Sequence, residues 1–271
     1  MSLVETDWLE KNLQKVKIID CSWHMPQTKR NGYEEYKNQH IPNAIFFDLD
    51  NNSKKNISLP HMLVDSTAWN RIVSKMGIKN DDKIIIYDNS DVISSCRCWF
   101  NFIYFGHNPE LVHVLNGGFN KWTKENRKVS KDLTSLEISD YKSSELEELV
   151  KSKEIIDQNI EKKLFKVIDA RSKERFEGKI PEPRKGLRSG NIKNSLCIPF
   201  NFCINEDKTF KNINELENIF EDCLGNIKEK NIVFSCGSGV TACVLALAYS
   251  LINDNYQPCI YDGSWAEYGI I

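Results

Sequence analysis

Apolar residues recur along the chain in two alternating kinds of segment. The first kind is a short, continuous apolar run: KIID (17–20), IIIY (84–87), VHVL (112–115), KVID (166–169), IVFS (232–235) and CIYD (259–262). Unbroken apolarity over four to six residues predicts strands buried on both faces, hence a mainly parallel sheet covered by helices. The second kind has helical spacing. Ser66, Trp69, Ile72, Val73 and Met76 lead into KIIIYD, and Ile213, Leu216, Ile219 and Phe220 lead into NIVFSC. Alternation of strand and helix predicts an α/β fold.

The order of these segments occurs twice. WLEKNLQKVKIIDCSW (8–23), an amphipathic helix entering a strand, has its counterpart in 145–172. QHIPNAIFFDLD (39–50) matches SGNIKNSLCIPFN (189–201), and VHVLNGGFNKW (112–122) matches PCIYDGSWAEY (258–268). A duplicated order of elements predicts two similar domains. Thr123–Ser144 is rich in Lys, Glu, Asp and Ser and has little apolar periodicity. We therefore expect domains at 1–127 and 144–271, joined by a solvated linker at 128–143 that wraps over the surface.

Composition narrows the function classes. At 271 residues the chain suits two domains, and 41% hydrophobic with 27% charged residues is ordinary globular composition. A net charge of −2 offers no basic field for nucleic acid or anionic lipid. The longest apolar run, Val240 to Tyr249, is ten residues, half of the ~20 that a span requires. The start, MSLVETDWLEKN, reads as neither signal nor transit peptide. Nine cysteines, with no CxxC and no histidine beside Cys96 and Cys98, predict free thiols and a reducing, cytoplasmic setting.

The chemistry is expected at the carboxyl ends of the strands, where open α/β sheets bind ligands. There IVFS delivers Cys236 into the turn Cys236-Gly237-Ser238-Gly239-Val240-Thr241, followed by an apolar helix read from Val240 to Ile252. Glycines that tolerate positive φ let successive N–H groups point inward as a nest, and the helix start adds partial positive charge. A thiol there has its thiolate stabilised. The alternative is a buried cysteine on a tight turn. The first copy has Asp88 at the equivalent position and no glycine in NSDVISS, so one copy is expected to be active and the other inactive. A second cluster, Asp169 to Arg188, carries Arg175 and Arg184 in a proline-containing loop; guanidinium forks hold carboxylates bidentately. The alternative is local pairing with Glu174, Glu177 and Glu182. Asp169 and Arg171 read as structural ties to the sheet. In the first copy, Asp50 and His61 have the residue types of a proton relay, although a loop histidine is commonly inert. His40 reads as a hydrogen-bonded structural residue. Cys96, Cys98 and Cys243 read as packing residues, together with the aromatics Trp99, Phe100, Phe102, Tyr104 and Phe105.

The duplication, the Cys236-Gly-Ser-Gly-Val-Thr loop, the RF…PEPR segment and the DGSW segment together resemble the tandem-domain rhodanese family, most closely its 3-mercaptopyruvate sulfurtransferase branch. The resemblance covers essentially the whole chain and implies tandem rhodanese-like domains. It implies that Cys236 carries sulfur as a persulfide, that Arg175 and Arg184, nine residues apart, hold the keto-acid donor, and that Asp50, His61 and Ser238 form a proton relay. With Asp50 and His61 in the first domain, the site is expected between domains. The loop amides of Gly237, Gly239, Val240 and Thr241 would hold the anionic persulfide until a thiol such as thioredoxin, or cyanide, removes the outer sulfur. No metal or organic cofactor is expected, because the sulfur rides on the protein. Gly190-Asn-Ile-Lys-Asn-Ser departs from the family's usual Gly-His-Ile-Pro-Gly-Ala, and Ala266-Glu-Tyr-Gly stands where a second aromatic is common.

Three rivals are distinguishable. A thiosulfate sulfurtransferase usually carries Arg and Lys where this chain has Gly237 and Ser238. A cysteine phosphatase needs arginine six residues past the cysteine, where Ala242 stands. A non-catalytic sulfane-binding module would bind sulfur without releasing pyruvate.

Overall fold

A computed structural model describes residues 2–271. The chain divides into two compact units. The first comprises the chain up to Ser53, Leu63–Leu146 and Glu206–Thr209; the second comprises Lys54–Met62, Glu147–Asn205 and Phe210–Ile271.

In the first unit the order is β1 (Leu3–Val4), α1 (Thr6–Asn12), β2 (Lys17–Asp20), α2 (Gly32–Asn38), β3 (Ala44–Phe46), α3 (Ser66–Lys75), β4 (Ile84–Tyr87), α4 (Ser95–Tyr104), β5 (Val112–Leu115) and α5 (Gly118–Lys124). The second unit repeats it: β6 (Val150–Lys151), α6 (Lys153–Lys162), β7 (Lys166–Asp169), α7 (Lys173–Phe176), β8 (Leu196–Cys197), α8 (Ile213–Leu224), β9 (Ile232–Ser235), α9 (Ala242–Ser250), β10 (Ile260–Tyr261) and α10 (Ser264–Tyr268). Both sheets are five-stranded and parallel, in the same order, β1-β5-β4-β2-β3 and β6-β10-β9-β7-β8. The duplicated α/β reading is thus realised strand for strand.

Local signals place the helices. Asp65 caps α3 by accepting from the Ala68 N–H, and Trp69 and Val73 face inward one turn apart. At α8, Asn212 and Glu215 form a reciprocal capping box, Leu216, Phe220 and Leu224 are buried, and Gly225 ends the helix at φ 67°. Helix α9 is buried from Ala242 through Tyr249, as its all-round apolarity requires. It begins at Ala242 rather than Val240, which leaves Val240 and Thr241 in the loop.

The segment read as a linker is irregular and mostly exposed, and it is tied to the first unit at particular points. Ser130 forms an antiparallel bridge with His40, Thr134 Oγ1 donates to the Ala44 carbonyl at 2.9 Å, and Tyr141 is buried against His107. The residues through Leu146 therefore belong to the first unit. His40 is a structural residue: its ring stacks on Tyr36 and bonds the Tyr36 and Asp132 carbonyls at 2.6 and 3.2 Å. The divergent GNIKNS turn keeps the same construction. Asn194 takes the positive φ that Asn43 has in the first copy, and Asn191 Nδ2 donates to the Phe176 carbonyl where His40 bonds Tyr36.

The ends of β2 and β7 differ in charge. Asp169 is ion-paired with Arg171 at 2.6 Å, both buried. The equivalent Asp20 faces Ser22 instead, whose N–H and hydroxyl donate to it at 2.9 and 2.5 Å. Burial pushes the Asp20 carboxyl up from 3.8 to about 7, against the lowering effect of the Ser22 and Tyr87 hydrogen bonds and with nearby Asp88 adding to the rise. Between these values the native state holds a proton that the unfolded chain has released. The stability contributed by this carboxyl is complete below pH 4 and is lost as pH rises through 7. From pH 5 to pH 8 the loss is roughly 3 kcal/mol. Thermal unfolding of Asp20→Asn should therefore show a Tm that falls less over this range than the unsubstituted protein's, by several degrees (~2–4 °C per kcal/mol for domains of 150–250 residues). Parallel falls would show that Asp20 does not titrate there.

Candidate active site

Strand β9 ends at Ser235 and hands the chain to Cys236, 2% exposed. The loop that follows is held from outside by α10. The Trp265 N–H donates to the Cys236 carbonyl at 2.9 Å and the Ala266 N–H to the Gly237 carbonyl at 2.8 Å, so two otherwise unpaired amides of the helix start are satisfied. Because trans peptide units are planar, these bonds aim the N–H groups of Gly237 and Ser238 away from α10. Among the described residues no protein acceptor takes the N–H of Gly237, Ser238, Val240 or Thr241. Gly239 supplies the turn at φ 75°, and its carbonyl accepts from the Cys243 thiol at 3.2 Å, which accounts for Cys243 as a packing residue. Cys236 N–H itself donates to Ser264 Oγ at 3.1 Å. Four amides at the start of α9 are thus left to a ligand, as a nest requires, with Ser238 among them in place of the expected Gly239.

The two loop glycines have different reasons. Gly237 is not among the residues with positive φ. A side chain there would instead meet the guanidinium groups: a Cβ would stand 3.3 Å from Arg175 Nη2 and 3.6 Å from Arg184 Nη1. Both arginines singled out in the sequence therefore converge on the cysteine loop. Arg184 Nη2 donates to Ser238 Oγ at 3.3 Å, and His61 Nδ1 lies 3.0 Å from the same oxygen. Arginine cannot accept, so the Ser238 hydroxyl hydrogen is left for His61 Nδ1.

His61 corrects one expectation. It lies in the first half of the sequence but in the second unit, because Lys54 N–H bonds the Met62 carbonyl at 2.8 Å and closes an excursion that carries the buried His61 to Ser238. Asp50 belongs to the first unit, where its carboxylate accepts the Trp23 indole N–H at 3.0 Å.

Local pairing within the arginine loop is also real. Glu182, with its side chain 1% exposed, binds both Arg171 and Arg175, at 2.8 and 2.6 Å. Asp169 and Arg171 are structural, as read, and Arg171 also stacks over Trp265 at 4.4 Å. Sequence reasoning named Glu182 only as a neutralising partner and did not reach Ser264. Their signals were the single acid set between Pro181 and Pro183 and the DGSW tetrapeptide.

The first unit shows the same framework without the thiol. Phe119 N–H donates to the Asp88 carbonyl as Trp265 does to Cys236, and Gly118 takes φ 53° where Ser264 takes 49°. The Asp88 carboxylate accepts the N–H groups of Ser90 and Ser95 at 2.7 and 2.9 Å, so its own side chain fills the nest. Cys96 and Cys98 are fully buried on α4. Burial pushes the thiols of Cys197 and Cys203 up to about 12 and that of Cys259 to about 11, which keeps them protonated and poorly nucleophilic.

The rhodanese-like domain family matches residues 5–125 and 152–270, one match for each repeat. The chain belongs to the rhodanese-like family. Among rhodanese-like relatives it is 38% identical to thiosulfate/3-mercaptopyruvate sulfurtransferase 1, mitochondrial, of Arabidopsis thaliana, over 98% of this chain and 75% of that protein. It is 34% identical to 3-mercaptopyruvate sulfurtransferase of Mus musculus, over 98% and 91%. The rhodanese fold of SseA from Escherichia coli, a 3-mercaptopyruvate sulfotransferase, superposes with a TM-score of 0.86 at 30% identity, covering 98% of this chain and all of that one. Both five-stranded units are thus rhodanese-like domains: the repeated pattern predicted two similar α/β domains, and the resemblance implied their family.

Proposed function

We propose that this protein is a 3-mercaptopyruvate sulfurtransferase with Cys236 as its sulfur carrier. The observation that carries the reading is the convergence of Arg175 and Arg184 on Gly237, beside a cysteine whose loop amides are uncommitted. In the reaction the Cys236 thiolate attacks the thiol sulfur of mercaptopyruvate. The new S–S bond forms as the carbon–sulfur bond breaks, and its electron pair passes to the pyruvate enolate. The guanidinium groups hold the donor's carboxylate. Ser238 and His61 relay the proton that converts the enolate to pyruvate. The amides of Gly237, Ser238, Val240 and Thr241 hold the persulfide anion. An acceptor thiolate, such as that of thioredoxin, or cyanide then attacks the outer sulfur and regenerates the Cys236 thiolate. We place this activity in a reducing compartment, the cytoplasm, and assign the first unit no catalytic role because Asp88 stands in the place of the cysteine.

Thiosulfate as a second donor draws support from the Arabidopsis relative, which is named for both donors. A single assay separates the readings, with pyruvate release measured from mercaptopyruvate and thiocyanate formation from thiosulfate and cyanide. We expect kcat/KM to be larger for mercaptopyruvate; thiosulfate turnover without pyruvate release refutes the assignment. His61→Ala provides the companion result. It should slow mercaptopyruvate more than thiosulfate, because only the former has a thiol proton to move, and equal slowing would remove His61 from the relay.

A further inference from the structure

A chain of alternating charges runs from the sheet to the cysteine loop. It starts at Asp169, the last residue of β7, whose carboxylate takes Nε and Nη2 of Arg171 at 2.9 and 2.6 Å. The Arg171 side chain is 1% exposed and is immobilised on every side: Nη2 also donates to the Gly190 carbonyl at 2.8 Å, and the guanidinium lies 4.4 Å from the Trp265 ring centre. Its Nη1 donates to Glu182 Oε1 at 2.8 Å. Glu182 then takes Arg175 with both oxygens, Nε at 3.2 Å on Oε1 and Nη2 at 2.6 Å on Oε2. Arg175 ends the chain at Gly237.

Arg175 has a different character from the residues that hold it. Its side chain is 22% exposed, whereas those of Asp169, Arg171 and Glu182 are 1–2% exposed. It sits on α7, a helix of four residues, too short to fix a long side chain by itself. An arginine on such an element loses substantial rotamer freedom each time it meets a ligand unless something else has already ordered it.

We propose that Glu182 is a positioning residue for sulfur transfer: it fixes the Arg175 guanidinium over the cysteine loop, with Arg171 and Asp169 as its rigid anchor. This rests on the assignment of Arg175 to the donor's carboxylate. Glu182 does not touch donor in this account; it acts through Arg175. Its carboxylate occupies the Nε and Nη2 edge, which leaves Nη1 and the second hydrogen of Nη2 to face the donor.

The test is a double-mutant cycle with Glu182→Gln and Arg175→Ala, read as KM and kcat for mercaptopyruvate and, separately, for thiosulfate. Glutamine keeps the shape but turns an N–H₂ group toward a guanidinium. The expected result is a rise of about 10-fold or more in KM for mercaptopyruvate, the loss of one charge-assisted contact, with kcat and thiosulfate KM changed much less. In the Arg175→Ala background the same substitution should change mercaptopyruvate KM by less than about 2-fold. Equal effects of Glu182→Gln in both backgrounds would overturn the proposal and make Glu182 a purely structural member of the loop. Arg175→Ala without effect on mercaptopyruvate would refute the donor-site assignment instead, so the two failures are distinguishable. Should Glu182→Gln not fold, the cycle is run with Glu182→Asp, which keeps the charge and shortens the reach. Its KM effect must likewise vanish without Arg175 for the proposal to stand.

Discussion

Cys236→Ser should abolish turnover with either donor, by on the order of 10⁴-fold or more, the scale seen when a covalent nucleophile is removed. Serine keeps the size and the loop contacts: the Cys236 backbone bonds to Ser264 and Trp265 do not involve the side chain. The variant should therefore unfold at nearly the same temperature as the parent. Its hydroxyl cannot carry sulfur, because no stable bond equivalent to a persulfide forms at oxygen. Cys96→Ser and Cys98→Ser provide the contrast. Both sulfurs are fully buried on α4 of the first unit, so replacement buries a hydroxyl and lowers stability while leaving specific activity near normal. Loss of turnover in either α4 variant, with the fold intact, would point to a second thiol in the reaction.

The second large effect is expected from the arginines. A charge-assisted hydrogen bond contributes about 1.5–3 kcal/mol, so Arg184→Ala and Arg175→Ala should each lower kcat/KM for mercaptopyruvate by roughly 10- to 150-fold. The two should differ in stability. Removing Arg175 leaves Glu182, buried, with Arg171 as its remaining described ion-pair partner, so its Tm should fall. Arg184 also donates to Ser238, so its loss should disturb the relay and lower kcat as well as raise KM. A donor without a carboxylate should suffer less in both variants. Equal losses for the two donors would assign the arginines to the fold rather than to recognition.

The strand ends that matter for catalysis were legible because the central strands β2, β4, β7 and β9 are buried throughout or nearly so and read as continuous apolar runs. The edge strands β1, β6 and β8 were not, because two residues carry no period and their side chains are only half buried. The cysteine loop was legible as a loop, but its two glycines looked alike. Only the fold distinguishes Gly239, which takes positive φ, from Gly237, which does not and instead lies beside two guanidinium groups. His61 shows the other limit. Its residue type suggested a relay, yet its packing in the second unit follows from an excursion closed by one backbone bond, Lys54 to Met62, which leaves no mark in hydrophobic pattern. Glu182 was visible only as a compensating charge, because a sequence does not tell an exposed ion pair from one with 1% exposure.

Brief exposure of the protein to mercaptopyruvate without acceptor, followed by intact-mass and peptide analysis with pyruvate counted in the same sample, tests the central claim most directly. The account predicts a gain of one sulfur atom, confined to the peptide containing Cys236, with one pyruvate released per sulfur gained. Sulfur on any other cysteine, or sulfur gained without pyruvate, would contradict it.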